Sequence, residues 1–297
     1  MIRTIASIAA LGLLISCGDG NPFFPLPEDD SDPSVSNIYA TEANDEATLN
    51  NLVYLDQGTA DPADDVLRVN NLPFDGTDAN SGGYTPMAGA DLQNNFTVFE
   101  SPVLSERRYF AVFRRTTSSQ VLAAGTGDYV NFGYGGAAAH RLNATTDMPA
   151  SGEYVYTGEY AAVRITTLDG GRDDVEYITG AARLSVDIAD FDITGAVEGV
   201  INNRRLFDSF GTYIGDLDDF VSLATAEIDF ENQLTLMSTA NGYDFDSEDL
   251  TAGQWQAIFT GPDAEEIAGF VFLEGTVATG SDDDEVRETG VFIVVRP

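Results

Sequence analysis

The stretch 183–188 has the sequence RLSVDI, in which every second residue is apolar. Because successive side chains of a β-strand point to opposite faces of a sheet, this alternation predicts a strand with one buried and one exposed face. Similar segments recur on both sides of it, bounded by clusters of Gly, Asp and Asn. No window of a dozen residues has a convincing helical period, so the sequence predicts an all-β protein.

Eight such segments follow one another between residues 149 and 297, and their connections look short. Eight antiparallel strands fit an up-and-down barrel, whose closure removes the exposed sheet edges that favour aggregation. A sandwich of two sheets is the alternative architecture. The predicted strands are 153–167, 178–190, 193–203, 224–230, 234–240, 253–260, 267–274 and 289–296.

The preceding segment, 51–148, predicts a small and irregular β-rich domain. Its Gly-rich part, 125–136, lies between strand-like pieces and opens no helix, so we do not expect a phosphate-binding loop there. The strands predicted in this domain are 51–56, 66–70, 96–99, 108–115 and 130–134.

The first sixteen residues have the pattern of a secretory signal peptide. An early positive charge at Arg3 is followed by an apolar run, 5–15, which is shorter than the roughly 20 residues that a spanning helix needs. The end of this run and the two residues after it, Leu14, Ile15, Ser16 and Cys17, resemble the bacterial lipobox. We therefore expect cleavage of segment 1–16 and acylation of Cys17, the alternative being an ordinary signal peptide with an accidental cysteine.

Gly18 follows Cys17, where an Asp would signal retention in the inner membrane of enteric bacteria. We therefore expect a lipid anchor in the cell outer membrane, with the protein exposed at the surface. Segment 17–50 has eight acidic residues and no basic residue after the cysteine, and it is interrupted by prolines. Such a segment cannot bury enough apolar surface to fold, so it predicts an acidic, disordered tether.

The excess of acidic residues excludes some classes of binding partner. The chain has 49 acidic residues against 14 basic ones, all of them Arg, and its formal net charge is −35. This field repels nucleic acid and anionic lipid head groups, so we expect no nucleic-acid partner. The acidity has two interpretations, which are solubility in a salty medium and capture of a cationic partner.

The residue types also argue against catalysis. The sequence has no Lys, a single His (His140) and a single Cys, which we expect to be acylated. These counts exclude a Schiff-base lysine, a zinc site with two histidines and a free thiol nucleophile. The acidic runs 244–249 and 282–285 lack the Gly and Glu positions of an EF-hand. We therefore predict no enzyme activity, no catalytic residues, no cofactor and no metal site.

Three other groups of residues receive structural interpretations. The Arg pairs 107–108, 114–115 and 204–205 could clamp an anionic ligand, but internal salt bridges are the preferred interpretation. His140 is expected in a loop. Trp255 and Phe259 are expected in the core, on one face of a strand.

The stretch 258–272, IFTGPDAEEIAGFVF, resembles the F-x-G-P-x-A-E-E-x-G-G-x-F element of the transferrin-binding protein B family and related surface lipoproteins. Ala268 replaces the first of the paired glycines. Within this element we expect a strand end at 261–262, one helical turn over 263–266, and a close backbone approach at Gly269. Further similarity lies in 152–160 (GEYVYTGEY), in 132–136 with Arg141 and Pro149 after it, and in the hairpin 186–202, where Ile188 replaces the usual Phe.

The resemblance implies a surface lipoprotein whose eight-stranded barrel binds a partner through loops. Our first hypothesis is a protein partner, bound by loops of the barrel and of the N-terminal domain, in metal or solute acquisition. Our second is a carrier that holds a small hydrophobic or metal-chelate ligand inside the barrel. An interior filled by Leu184, Val186, Ile188, Val291 and Ile293 would exclude the carrier. Transferrin itself is not the expected partner, because family members that bind it have two barrel lobes and cationic loops.

Overall fold

The computed structural model describes residues 37–41, 49, 52–69, 83–101, 108–127, 135–145, 147–167, 173–188, 195–244, 249–279 and 282–297. In these ranges the regular elements are β-strands, apart from one short 3-10 turn, Pro62–Asp64. The all-β class is therefore confirmed. Cys17 and its lipobox residues Leu14, Ile15 and Ser16 lie outside the described residues, as does the predicted strand 130–134. No helix in the described ranges has the length and hydrophobicity needed to cross a bilayer.

The N-terminal part contains a six-stranded antiparallel sheet with the strand order β1-β8-β7-β6-β5-β4, and a separate hairpin of β2 and β3. The predicted strands 51–56, 66–70, 96–99 and 108–115 correspond to β2, β3, β5 and β6. The strands are β1 (Asn37–Thr41), β2 (Leu52–Leu55), β3 (Val66–Val69), β4 (Thr85–Pro86), β5 (Thr97–Glu100), β6 (Phe110–Arg115), β7 (Ser119–Gly125) and β8 (Gly135–Arg141).

Two features of this sheet differ from the sequence expectation. Strand β1 lies within the predicted tether, because Ile38 is buried and all five residues of β1 pair with β8. His140 is not in a loop but in β8, where its ring is buried and packs edge-on against Tyr39 at a centroid distance of 5.3 Å. The alanines before it have low β propensity, but burial between β1 and β7 determines their conformation.

The C-terminal part is a closed barrel of eight antiparallel strands, as the sequence predicts. The ring runs β9-β10-β11-β13-β15-β16-β17-β18 and returns to β9, because β18 pairs with β9 from Glu285↔Thr167 to Val295↔Thr157. This pairing excludes the two-sheet sandwich. The strands are β9 (Gly152–Thr167), β10 (Asp173–Ile188), β11 (Ala196–Phe207), β12 (Tyr213–Asp216), β13 (Asp219–Asp229), β14 (Leu234–Thr235), β15 (Ser238–Asp244), β16 (Asp249–Thr260), β17 (Glu266–Thr279) and β18 (Asp282–Val295).

Two local predictions in the barrel are wrong. The predicted strand 234–240 is divided into β14 and β15, with the half-exposed Leu236 and Met237 between them. Residues 263–266 form no helical turn, because Ala264 has a φ of 53° and Gly261 a φ of 80°. The Glu265 carboxylate accepts a hydrogen bond of 3.0 Å from the Asp263 amide, which stabilises a tight turn in place of a helix.

The barrel interior is filled by apolar side chains. Leu184, Val186 and Ile188 point inward as predicted, and Trp255 and Phe259 join the same cluster. Eight-stranded barrels are just wide enough for such side chains to fill them, so these residues form the packed core of the barrel.

The outer wall of the barrel packs against the N-terminal sheet in a second apolar cluster. Val112 and Val121 of the sheet share this cluster with Phe270, Val291 and Ile293 of the barrel. Of the residues considered above for the barrel interior, Val291 and Ile293 therefore belong to the outer wall. One face of β18 lines the barrel interior, and the other packs against the N-terminal sheet. Because both faces are apolar, the sequence of β18 does not show which face points inward.

Polar contacts frame this apolar interface. Buried Glu266 of β17 accepts hydrogen bonds from the Ser119 hydroxyl (2.6 Å), the Thr116 hydroxyl (2.8 Å) and the Thr260 hydroxyl (3.2 Å). Arg141 of β8 donates from Nε to the Phe259 carbonyl at 2.9 Å. The two parts of the chain are thus joined by matched polar groups as well as by apolar packing.

Candidate functional site

A hairpin rises from one end of the barrel, where β11 ends and β12 returns. Asp208 organises its turn, because its Oδ1 accepts hydrogen bonds from the amides of Phe210 (2.9 Å) and Thr212 (2.8 Å). Gly211 has a φ of 76°, a conformation that favours glycine. The turn is therefore fixed by local hydrogen bonds and by the residue types at 208 and 211.

This hairpin exposes three large apolar side chains within five positions. The exposed fractions are 68% for Phe210, 42% for Tyr213 and 56% for Ile214. Single exposed apolar residues are common on protein surfaces, but three within five positions of one hairpin make this hairpin a candidate interaction site. Phe210, Tyr213 and Ile214 are hereafter called the hairpin surface.

The hairpin also contacts the N-terminal part of the chain. Gly211 lies so close to Ala90 that a Cβ atom at Gly211 would be 2.7 Å from the Ala90 Cβ. The Asp91 amide donates to the Gly211 carbonyl at 3.4 Å, and Arg205 Nη1 donates to Gln93 Oε1 at 3.3 Å. The hairpin surface therefore lies beside loop residues of the N-terminal part of the chain, at positions 90–93.

A buried ion cluster ties the base of the hairpin to the opposite wall of the barrel. Arg204 precedes the hairpin and Asp219 follows it, and Arg204 Nη1 donates to Asp219 Oδ2 at 2.6 Å. Arg204 also pairs with Glu288 of β18, whose Oε1 accepts a 2.6 Å hydrogen bond from the Tyr160 hydroxyl of β9. Arg204 is only 3% exposed, so these charge-assisted bonds lie away from water.

Burial and charge shift the pKa values in this cluster in opposite directions. Burial raises the pKa of Asp219 above its ordinary 3.8, and this effect outweighs the attraction of Arg204. Burial lowers the pKa of Arg204, but Glu288 and Asp219 outweigh it and the net shift is upward. Burial, followed by the charge of Glu288, raises the pKa of Tyr160 well above 10.0. Arg204 therefore stays cationic and Tyr160 neutral at physiological pH.

A cavity of about 10 Å³ borders this cluster and has room for about one water molecule. Two buried atoms of its lining residues, Arg204 Nε and Asp219 Oδ1, have no hydrogen-bond partner among the described residues. A donor and an acceptor beside so small a space suit a bridging water. The arrangement is structural, since a chelate or a hydrophobic ligand is far larger than this cavity. Its lining residues are Arg164, Arg204, Asp219, Gly242, Leu250, Thr251, Val286 and Glu288.

The barrel and its surrounding sheets match solved structures of bacterial surface lipoproteins. The chain is similar in fold to transferrin-binding protein B. For the vaccine antigen transferrin-binding protein B from Haemophilus parasuis Hp5, the identity is 16%, the TM-score is 0.42, and the match covers 88% of this chain and 45% of that one. For intact Ap-TbpB, with N and C lobes, the identity is 14%, the TM-score is 0.40, and the match covers 88% and 46%.

This chain therefore spans less than half the length of these two proteins. A structure described as a surface lipoprotein matches over almost its full length, with 89% of this chain and 99% of that one covered, an identity of 15% and a TM-score of 0.38. The eight-stranded barrel that the resemblance implies is present in the structure, where β18 closes the ring by pairing with β9. No family model matches the chain, and no curated protein matches it.

The structure places several residues singled out in the sequence. Arg204 forms a buried internal salt bridge, and Arg114 Nη1 lies 3.0 Å from Glu159 Oε2, as expected for the Arg pairs. The adjacent acids Glu265 and Glu266 make different contacts, since Glu265 lies in the turn and Glu266 contacts the N-terminal sheet. In the described part of the chain, no group of three or more His, Cys, Asp or Glu side chains could hold a metal.

The sequence did not predict the hairpin surface. Connections in the barrel were expected to be short, but β11 and β13 are separated by the excursion that contains β12. A signal was present, because Phe210 and Ile214 are apolar residues in a long segment between two predicted strands. Their exposure depends on the position of the hairpin beyond the barrel rim, which the local pattern does not contain.

Proposed function

We propose that this protein is a surface-exposed lipoprotein of the outer membrane that binds a protein partner through the hairpin surface and the adjoining loop around Ala90. The observation that carries the proposal is the exposure of Phe210, Tyr213 and Ile214 on an ordered hairpin. Binding, and not catalysis, is the proposed activity.

Hydrogen bonds and ring packing support the hairpin from within. The Tyr213 ring packs edge-on against buried Phe207 at a centroid distance of 5.7 Å, and its hydroxyl donates to Asp216 Oδ1 at 2.9 Å. Together with the turn bonds to Asp208, these contacts restrict the hairpin before any partner arrives. A preorganised surface loses less conformational entropy on binding, which favours affinity.

Charge around the hairpin surface favours a cationic partner. Asp216 and Asp218 of the hairpin segment and Asp91 of the adjoining loop are exposed, and Arg205 Nε lies 3.6 Å from Asp216 Oδ1. An apolar centre with a polar rim is the usual organisation of a protein interface. In addition, the net charge of −35 accelerates the approach of a positively charged protein.

Carriage of a ligand inside the barrel has less support than partner binding. The interior cluster contains Trp255, Phe259 and Phe292, and the nearby cavity has a volume of about 10 Å³. A small-molecule site usually has a volume of several hundred Å³. The loops outside the barrel therefore remain the place for selective contact.

The partner hypothesis can be tested with two matched double variants. The first is Phe210→Ser with Ile214→Ser, and the control is Leu236→Ser with Met237→Ser, whose exposed fractions of 47% and 46% are similar. Each non-acylated protein would be used to capture partners from outer-membrane extracts. We expect a protein that binds the wild type and the control but not the hairpin variant. Equal capture by both variants would refute the proposed surface.

The lipid anchor is tested separately through Cys17. A Cys17→Ala variant, expressed with its leader, should lose metabolic labelling by palmitate and should leave the membrane fraction. Protease treatment of intact cells should digest the wild-type protein if it faces the exterior. Continued palmitate labelling of the variant would disprove the anchor site, and resistance to protease in intact cells would disprove surface exposure.

A further inference from the structure

Strand β12 has a free edge next to the hairpin surface. In the described residues it pairs with β11 alone, through Arg205↔Asp216, Leu206↔Gly215 and Phe207↔Tyr213. A free edge presents backbone N–H and C=O groups that a strand from another molecule can pair with. β12 is therefore the part of the hairpin to which a backbone, and not only side chains, could bind.

The register identifies the backbone groups that point away from β11. The Leu217 amide donates to the Arg204 carbonyl at 2.9 Å, so Leu217 directs its backbone polar groups toward β11. Neighbouring residues of a strand direct these groups to opposite sides. The N–H and C=O groups of Asp216 therefore point to the free edge, and its side chain is 72% exposed.

We infer that the partner of this protein adds an extended segment to the free edge of β12. This inference rests on the proposed function and specifies how the partner is held. Backbone hydrogen bonds at Asp216 would fix the segment in register. Its apolar side chains would contact Ile214 and Phe210, and its basic side chains would contact Asp216 and Asp218.

The negative charge of the protein determines which kind of segment can pair with the free edge of β12. A second copy of this chain could in principle pair β12 with β12, but both copies have a net charge of −35 and would bring Asp216 close to Asp216. Like charges across a strand pair are destabilising, whereas opposite charges stabilise it. The occupant is therefore an extended segment rich in Arg or Lys, and the acidic edge disfavours self-association.

A matched pair of substitutions separates backbone pairing from charge. Asp216→Ala removes the carboxylate and keeps the N–H group, whereas Asp216→Pro removes both. Proline is tolerated at an edge position whose N–H faces away from the sheet, so both variants should fold. Circular dichroism and thermal unfolding of the full chain would verify that they do.

The probe is a capped, fluorescent peptide of alternating valine and arginine, and its binding is measured by anisotropy at physiological salt. We expect Asp216→Ala to weaken binding a few-fold, and Asp216→Pro to weaken it by about a further tenfold. A peptide with the same side chains but alternate N-methylated amides should bind the wild type about tenfold more weakly than the unmodified peptide does, because only the backbone hydrogen bonds are lost. Equal binding by the two Asp216 variants, or full binding of the methylated peptide, would overturn strand addition.

The partner captured from outer-membrane extracts distinguishes this inference from the proposed function. If capture is lost on changing Phe210 and Ile214 but is unaffected by Asp216→Pro, the hairpin surface is correct and strand addition is wrong. If capture is unaffected by all of these changes, the proposed function itself fails. If Asp216→Pro reduces capture more than Asp216→Ala, strand addition is supported.

Discussion

Arg204 and Asp219 stand on either side of the hairpin excursion and are joined by a hydrogen bond of 2.6 Å between Nη1 and Oδ2. A backbone hydrogen bond also joins the two sides of the hairpin, since the Leu217 amide donates to the Arg204 carbonyl. Through Glu288 and Tyr160 the same arginine reaches β18 and β9. The base of an exposed hairpin is thus anchored by a buried cluster that spans the barrel.

Replacement of Arg204 should strongly destabilise the protein. Arg204→Met leaves Glu288 and Asp219 buried without their cation, at a cost of about 3–5 kcal/mol in the free energy of unfolding. Arg205→Met is the matched control, because Arg205 is exposed and its pair with Asp216 should contribute less than about 1 kcal/mol. Urea unfolding of both variants measures the difference. Similar losses in the two variants would show that the buried cluster is not what anchors the hairpin.

The raised pKa of Asp219 gives a pH dependence of defined sign. Burial makes the folded protein hold the Asp219 proton more tightly than the unfolded chain, whose ordinary pKa is 3.8. At a pH above the folded pKa of Asp219, ionisation of this carboxyl therefore lowers the stability of the folded protein. This loss of stability disappears as the pH falls through the folded pKa toward 3.8, because the folded protein then binds the proton. The wild type should gain stability relative to Asp219→Asn between pH 7 and pH 4. A relative loss over this range in denaturant unfolding would contradict the assignment.

The contact between the barrel and the N-terminal sheet depends on Glu266. Glu266→Ala leaves the hydroxyls of Ser119, Thr116 and Thr260 without their shared acceptor, which should cost about 1–3 kcal/mol. Glu265→Ala changes the adjacent carboxylate, which lies in the turn, and should cost less. Thermal unfolding compares the two, and a larger effect of Glu265→Ala would show that Glu266 does not join the two parts.

Gly290 provides space for the Tyr160 ring. A Cβ at this position would overlap the ring and its hydroxyl, so Gly290→Ala must displace Tyr160 and break its bond to Glu288. Overpacking of this kind typically costs about 1–3 kcal/mol. Gly215→Ala has no atom within 4 Å of the new Cβ and serves as the control. A neutral Gly290→Ala would mean that the ring can move freely.

The barrel could be predicted because most of its strands have one face inside and one face in solvent, which the alternation at Leu184, Val186 and Ile188 records. The prediction failed where both faces are buried. Strand β7 is buried at every position, β8 begins with two glycines and three alanines, and the alternation at Val291 did not identify its inner face. Such strands have no polar face by which a period of two could be recognised.

The functional surface was harder to predict than the fold. Strand β12 has four residues, one of them a glycine, which is too short for a periodic signal. The buried cluster was visible only as one Arg pair, because Glu288 and Tyr160 come from strands distant in sequence. Barrel closure determines which of the many acidic residues contacts Arg204. Closure depends on the pairing of all the strands, so it cannot be derived from the residues around Arg204.

Closure also has a kinetic consequence. The first and last strands of the barrel are partners, and the bond from Tyr160 to Glu288 joins residues 128 positions apart. Contacts so distant in sequence form slowly, since most of the intervening chain must be ordered before they can be made. A nascent polypeptide that has not yet released its final strand cannot complete the ring. The barrel therefore closes only after β18 has been synthesised and can pair with β9.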